Sequence, residues 1–215
     1  MATEILGRTV LKDNLSPVPD VPLMTFEEYL EWPHENSHVE WVNGKVVEMS
    51  PVSAEHQEIT YFLLVLIKRF VRAGRLGRVL FDPFQMKTGP DLPMRAPDIL
   101  FVANENLSRL KKNHLDGPAD LVVEIISPGS GATDRGDKFY EYEAGGVPEY
   151  WLIDPQRKQA EWYQRGEDGV YYPTVVGNDG IYNSRVLDGL WLQVDWLWQE
   201  PLPDPLDVLK QWKLI

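Results

Sequence analysis

The chain has 215 residues, 43% of them hydrophobic, which suits one substantial buried core within the ordinary size of a single domain. It holds no cysteine, which excludes disulfides, zinc–thiolate sites and thiol nucleophiles and leaves oxygen and histidine to hold any metal. A formal net charge of −12 repels polyanions at long range and argues against broad, non-specific coating of nucleic acid, although it suits divalent cations.

The longest apolar runs, Phe62–Ile67 and Leu121–Ile126, are far shorter than the roughly 20 residues a membrane helix requires. Met1–Val10 carries Glu4 and no apolar signal core, so a soluble, cytoplasmic protein is expected. Residues 1–22, with Pro17, Pro19 and Pro22 and no periodic pattern, read as an arm; residues 23–200 read as the domain and 201–215 as a C-terminal tail. Thr25-Phe26-Glu27-Glu28 fits a capping box and predicts a short helix that Pro33 stops. Two alternating segments, His38–Val42 and Lys45–Met49, flank Asn43-Gly44, a strong hairpin signal.

Ser53 caps a second predicted helix, in which Ile59, Phe62, Leu63, Leu66, Ile67 and Phe70 recur at helical spacing up to Gly74, with His56 on the same apolar face. Lys68, Arg69, Arg72, Arg75 and Arg78 follow with no acid among them, either as complements of the helix dipole or as a phosphate-contacting ridge. Val79–Met86 reads as a strand interrupted by Pro83, Pro97–Val102 as another, and Asp120–Ser127, apolar on both faces, as the central one. Thr133 or Asp134 starts a third helix running through Ala144 to Gly145-Gly146. Glu149–Asp154 is a further buried strand, and 159–164 with 170–176 a hairpin; the C-terminal third, with Trp191, Trp196, Trp198 and Trp212, is harder to place. The order of elements predicts an α/β domain, a mixed β-sheet core flanked by α-helices.

Glu124 interrupts the most apolar strand, where a carboxylate costs several kcal/mol unless it is paired, protonated or bound to a cation. Asp98 opens the preceding strand, and two carboxylates on neighbouring strands raise each other's pKa unless a cation sits between them. A hard ion such as Mg²⁺ meets that need with one or two carboxylates and retained waters. Glu40 shares a hairpin face with Val47 and is read as either a third acid of the site or a rim charge. For Asp98 the alternative is a strand-start aspartate, and for Glu124 an ion pair with Arg95 or Arg135.

Pro97-Asp98 followed by Glu124-Ile125-Ile126 resembles the PD-(D/E)XK nuclease signature. The wider string is more specific: Glu40-Trp41-Val42-Asn43-Gly44, His56, Arg95-Ala96-Pro97-Asp98, Leu121–Pro128, Asp134, Lys138, Tyr142 and Gly146–Trp151. Over about residues 24–195 it is similar to the putative restriction endonuclease family of that superfamily. The resemblance implies a restriction-endonuclease-like fold and a Mg²⁺-dependent endonuclease, with Mn²⁺ as substitute, acting on nucleic acid, with DNA expected. It implies Asp98, Glu124 and Lys138 as catalytic residues, and Asp98, Glu124, the Ile125 carbonyl, Glu40 and His56 as metal ligands. One departure is Ile126, where the signature has lysine; in the resembled family a helix lysine, here Lys138, stands in. The bland alternatives are a solvated Lys138 paired with Asp134, a satisfied structural His56, and Tyr142 as packing. A catalytically degenerate binding module and a hydrolase of small phosphoesters are the competing functions. A homodimer is expected, with the aromatic C-terminal third as its surface.

Overall fold

A computed structural model of the chain describes residues 23–33 and 38–215; the expected arm over 1–22 lies outside the described residues. Helix α1 (Phe26–Glu31) starts at the predicted capping box: the Thr25 side chain accepts from the Glu28 N–H, and the Glu28 carboxylate accepts from the Thr25 N–H at 2.7 Å. Strands β1 (Val39–Val42) and β2 (Lys45–Glu48) form the expected hairpin, with Glu40 opposite Val47 and the turn residues Asn43 and Gly44 at φ 51° and 83°. Both positive φ values belong to the two-residue turn that matches strand twist, which is why Asn-Gly occupies it.

Helix α2 (Ala54–Gly74) is capped by Ser53 and buries His56, Ile59, Phe62, Leu63, Leu66, Ile67 and Val71 along one stripe. The segment read as one interrupted strand is two. β3 (Gly77–Phe81) and β4 (Gln85–Lys87) belong to different sheets, because Pro83 lacks an N–H for a ladder and the chain changes sheet around it. Two short strands ahead of β8 have no counterpart in the sequence pattern, β5 (Met94–Arg95) and β7 (His114–Asp116), on either side of β6 (Ile99–Ala103) and a 3₁₀ turn at Asn104–Arg109. β8 (Leu121–Ile125) is buried at every position, as its composition predicts.

The single helix expected from residue 133 or 134 is also two, α3 (Gly131–Arg135) and α4 (Asp137–Gly145), broken at Gly136. A side chain at Gly136 would meet the Ala132 carbonyl oxygen at 2.7 Å, so the break needs glycine. α4 ends on Gly146 in the left-handed region, the expected stop. β9 (Glu149–Asp154), β10 (Gln159–Arg165) and β11 (Tyr171–Pro173) complete the main sheet, and β12 (Ile181–Asn183) pairs with β13 (Trp191–Gln193) apart from it.

The main sheet runs β11-β10-β9-β8-β6-β3, antiparallel except for the parallel β8–β9 pair, and a second sheet runs β2-β1-β5-β4-β7. Alternation along β8 divides the core: Leu121, Val123 and Ile125 pack with α2, whereas Val122 and Ile126 pack with Tyr142 of α4. The fold is thus a mixed α/β architecture with helices on both faces of its sheet. Residues expected as a tail form helix α5 (Pro205–Gln211), whose Val208 and Leu209 join the α2 side of the core. Trp196, Trp198 and Trp212 of the C-terminal third pack against that same core as partly buried side chains, and Trp191 lies against the rings of Trp196 and Trp212.

Candidate active site

The ladder between β6 and β8 pairs Ile99 with Val123, and one further step in the same register sets Asp98 opposite Glu124. The Asp98 carboxylate accepts the Ile125 N–H at 2.6 Å and meets His56 Nε2 at 3.1 Å. An ionised carboxylate only accepts, so the imidazole donates through Nε2. His56 is buried on the first turn of α2, and its carbonyl accepts the Thr60 hydroxyl at 2.7 Å. Of the residues implied as ligands, His56 is therefore turned towards Asp98 as an orienting donor, and Ile125 reaches Asp98 through its N–H.

Lys138, on the first turn of α4, is buried rather than solvated: its Nζ lies 2.9 Å from Glu124 Oε1, 3.2 Å from Asp134 Oδ1 and 3.9 Å from Glu40 Oε1. One turn on, the Tyr142 hydroxyl donates to the same Glu124 Oε1 at 2.7 Å, leaving Oε2 outside both contacts. Burial pushes the Glu124 carboxyl well above its usual range; Lys138 and the Tyr142 hydrogen bond oppose the rise, and Asp134 and Asp98 add to it. Burial alone would lower the Lys138 pKa, but Glu124, Glu40, Asp134 and Asp98 outweigh it and hold the ammonium charged well beyond an ordinary lysine.

Glu40 is neither a rim charge nor free. Its Oε2 accepts from Arg95 Nη1 at 2.8 Å and its Oε1 from the Ala96 N–H at 3.0 Å. Arg95, buried with it, also forms a two-pronged pair with Glu141 of α4, both bonds 2.7 Å. The alternative for Glu124, an ion pair with Arg95 or Arg135, is not formed: Arg95 serves Glu40 and Glu141, and Arg135 serves Asp154 and Glu161. Glu40, implied as a ligand, thus carries one donor on each oxygen and is more deeply buried than Asp98.

Among the described residues, no three His, Asp or Glu side chains gather as a ready ligand set for one ion. Two do offer donors: Glu124 Oε2, and Asp98, whose side chain is 13% exposed at the mouth of the site. Mg²⁺ is held by one or two carboxylates with its waters retained, so this pair fits a hard divalent cation. The charge balance agrees. Glu40, Asp98, Glu124, Asp134 and Glu141 face Arg95 and Lys138 as permanent cations, an excess of buried and half-buried carboxyl groups over cations that a bound cation relieves.

Several contributors were missed or undervalued in the sequence. Asp134, Lys138, Glu141 and Tyr142 share one face of the α3–α4 segment, and a polar stripe facing the sheet was the available signal. His38 and Asp82, 2.7 Å apart, stand near the mouth, where the Asp82 N–H donates to the Asp98 carbonyl at 3.3 Å. No local pattern announces that pair, which joins the first hairpin to the turn after β3.

The family model Uma2, described as Putative restriction endonuclease, matches residues 26–195. Two uncharacterized proteins of Synechocystis sp. are similar. One is 26% identical over 162 residues, 72% of this chain and 80% of that protein; the other is 23% identical over 155 residues, 70% and 86% of the two chains. Among solved structures, a putative nuclease belonging to DUF820 from Anabaena variabilis superposes with a TM-score of 0.67 at 20% identity, covering 81% of this chain and 97% of that one, a likeness of fold. Because the family model spans all but the ends of the described fold and every residue of the cluster around Glu124, the chain belongs to the putative restriction endonuclease family.

Proposed function

We propose that the chain is a divalent-metal-dependent endonuclease that hydrolyses phosphodiester bonds, with DNA as substrate. The observation that carries this reading is the 2.9 Å contact between Lys138 and Glu124, which supplies from a helix the lysine that Ile126 does not supply from the strand. Asp98 and Glu124 would hold Mg²⁺ or Mn²⁺, which supplies polarisation of the phosphate and a more acidic water. Lys138 stays protonated, so it does not serve as the base. Its ammonium orients the attacking water and offsets the charge developing on the phosphorane oxygens. His56 and the Ile125 N–H hold the Asp98 carboxylate in place, and Tyr142 holds that of Glu124. Lys68, Arg69, Arg72, Arg75 and Arg78 are exposed and free of ion pairs among the described residues, which suits contact with flanking phosphates despite the overall charge. The Lys68 ammonium lies 5.5 Å above the Phe81 ring, beside Asp82, so the basic ridge leads towards the mouth of the site.

Incubation with duplex DNA, single-stranded DNA, RNA and mononucleotides in Mg²⁺, Mn²⁺ or EDTA tests the reading. Metal-dependent cleavage of DNA is expected, abolished by Glu124→Gln. Binding without cleavage would favour the degenerate binding module, and turnover of mononucleotides alone the small-phosphoester hydrolase.

A further inference from the structure

A lysine on a helix is a less constrained tool than one on the strand that carries the acid. Its stem has four rotatable bonds, and holding it in one rotamer costs about 2 kcal/mol of side-chain entropy. In the metal-free protein Glu124 holds it, at 2.9 Å. That hold weakens when a cation neutralises Glu124, since the ion then repels the ammonium it displaces. Something other than Glu124 must keep Lys138 in the site at the moment it is needed.

We propose that Asp134 is the positioning residue that keeps the Lys138 ammonium at the site once a cation occupies Glu124; the proposal rests on the role given to Lys138 above. Asp134 is buried, and its two carboxylate oxygens are separately engaged. Oδ2 accepts the Ser130 hydroxyl at 2.6 Å, and Oδ1 lies 3.2 Å from Lys138 Nζ. Its backbone is held as well, its carbonyl accepting the Tyr150 hydroxyl at 3.1 Å. The break at Gly136 separates Asp134 and Lys138 into two helices, so their contact does not follow from helical spacing alone. Glu40 is the other nearby acid, at 3.9 Å, but Arg95 and the Ala96 N–H already engage its oxygens. Asp134 is thus the carboxylate left to Lys138 when Glu124 turns to the metal. It acts through the lysine and touches neither metal nor substrate.

The test is Asp134→Asn in the full chain, labelled with ¹⁵N-lysine, with the Lys138 ammonium resonance assigned by its absence from Lys138→Arg. In the wild type the buried ammonium is shielded from water, and its signal is expected to persist when Mg²⁺ alone is added. In Asp134→Asn it is expected to disappear into fast exchange on adding Mg²⁺. Kinetics give the second arm: at saturating Mg²⁺ and DNA, kcat falls about 10- to 100-fold with KM unchanged. Adding Asp134→Asn to Lys138→Ala then costs nothing further, because the two act as one unit. An ammonium signal that survives Mg²⁺ in Asp134→Asn, or a further loss in the double variant, overturns the proposal. If the wild type cleaves nothing, the nuclease reading fails, whereas the resonance still decides what Asp134 does. Should Asp134→Asn not fold, Ser130→Ala frees the same carboxylate without removing its charge, and weaker retention of the signal is expected in its place.

Discussion

Lys138 and Glu124 come from a helix and a central strand, yet they meet at 2.9 Å with both side chains nearly inaccessible to solvent. A lone carboxylate in β8 would be a severe liability, and the ammonium relieves it in part while burial still pushes the Glu124 carboxyl up. The pair therefore joins α4 to β8 through one buried contact, and it is the pair on which the proposed function rests.

Lys138→Ala should do more than abolish cleavage. Removing one member of a buried ion pair costs about 3–5 kcal/mol, so the metal-free variant should melt well below the wild type. Mg²⁺ or Mn²⁺ should restore part of the loss by taking the ammonium's place as counter-charge, and kcat should stay down about 10²- to 10³-fold. Thermal melts with and without metal check this; a melt indistinguishable from wild type contradicts it.

Glu124→Gln removes the buried charge itself and leaves Lys138 paired to Asp134 at 3.2 Å. It is expected to fold and to melt no lower than the wild type, while losing any stabilisation by Mn²⁺. Strong destabilisation in calorimetry would mean that the ionised pair is a structural necessity.

Arg95 joins Glu40 on β1 to Glu141 on α4 through hydrogen bonds of 2.7–2.8 Å. Lysine cannot reproduce the planar fork, so Arg95→Lys is expected to behave as a broken pair and lose about 3 kcal/mol in urea unfolding. A change within about 0.5 kcal/mol, the scatter of neutral surface substitutions, would show that the network contributes little.

Glu149 is the contrasting case, a fully buried carboxylate that forms no ion pair among the described residues. It accepts from Trp151 Nε1, the Tyr182 and Ser184 hydroxyls, and the N–H groups of Arg185 and Val186 at 2.6–3.1 Å. Hydrogen bonds to a charged group contribute about 1.5–3 kcal/mol each, so Glu149→Ala should unfold the link between β9 and the 182–186 segment at a cost of several kcal/mol. Metal affinity of whatever folds should be unchanged.

The contrast between Glu124 and Glu149 marks where reading the sequence stops. Both are acids in apolar strands, and only the neighbourhood tells a charge that needs a cation from one satisfied by donors. Elements with strong local signals were legible: the Asn43-Gly44 hairpin, the Ser53-capped helix and β8 follow from spacing and turn chemistry. The two-residue strand β5 was not, since it depends on a tertiary contact, Arg95 to Glu40, and neither was the break at Gly136, since a single glycine inside a helical pattern is tolerated as often as it breaks one. At the site the acids were visible as anomalies, but the commitment of Glu40 to Arg95 and of His56 to Asp98 depends on which side chains the fold brings together.

The most direct measurement is a crystal soaked in Mn²⁺ and recorded for anomalous scattering. A single strong peak is expected between Asp98 and Glu124, bound through Glu124 Oε2 at about 2.0–2.2 Å, with Lys138 still within reach of Asp134. A peak at another set of residues, or a soaked crystal in which Asp98 and Glu124 keep only their protein partners, would contradict a metal-dependent site built on this pair.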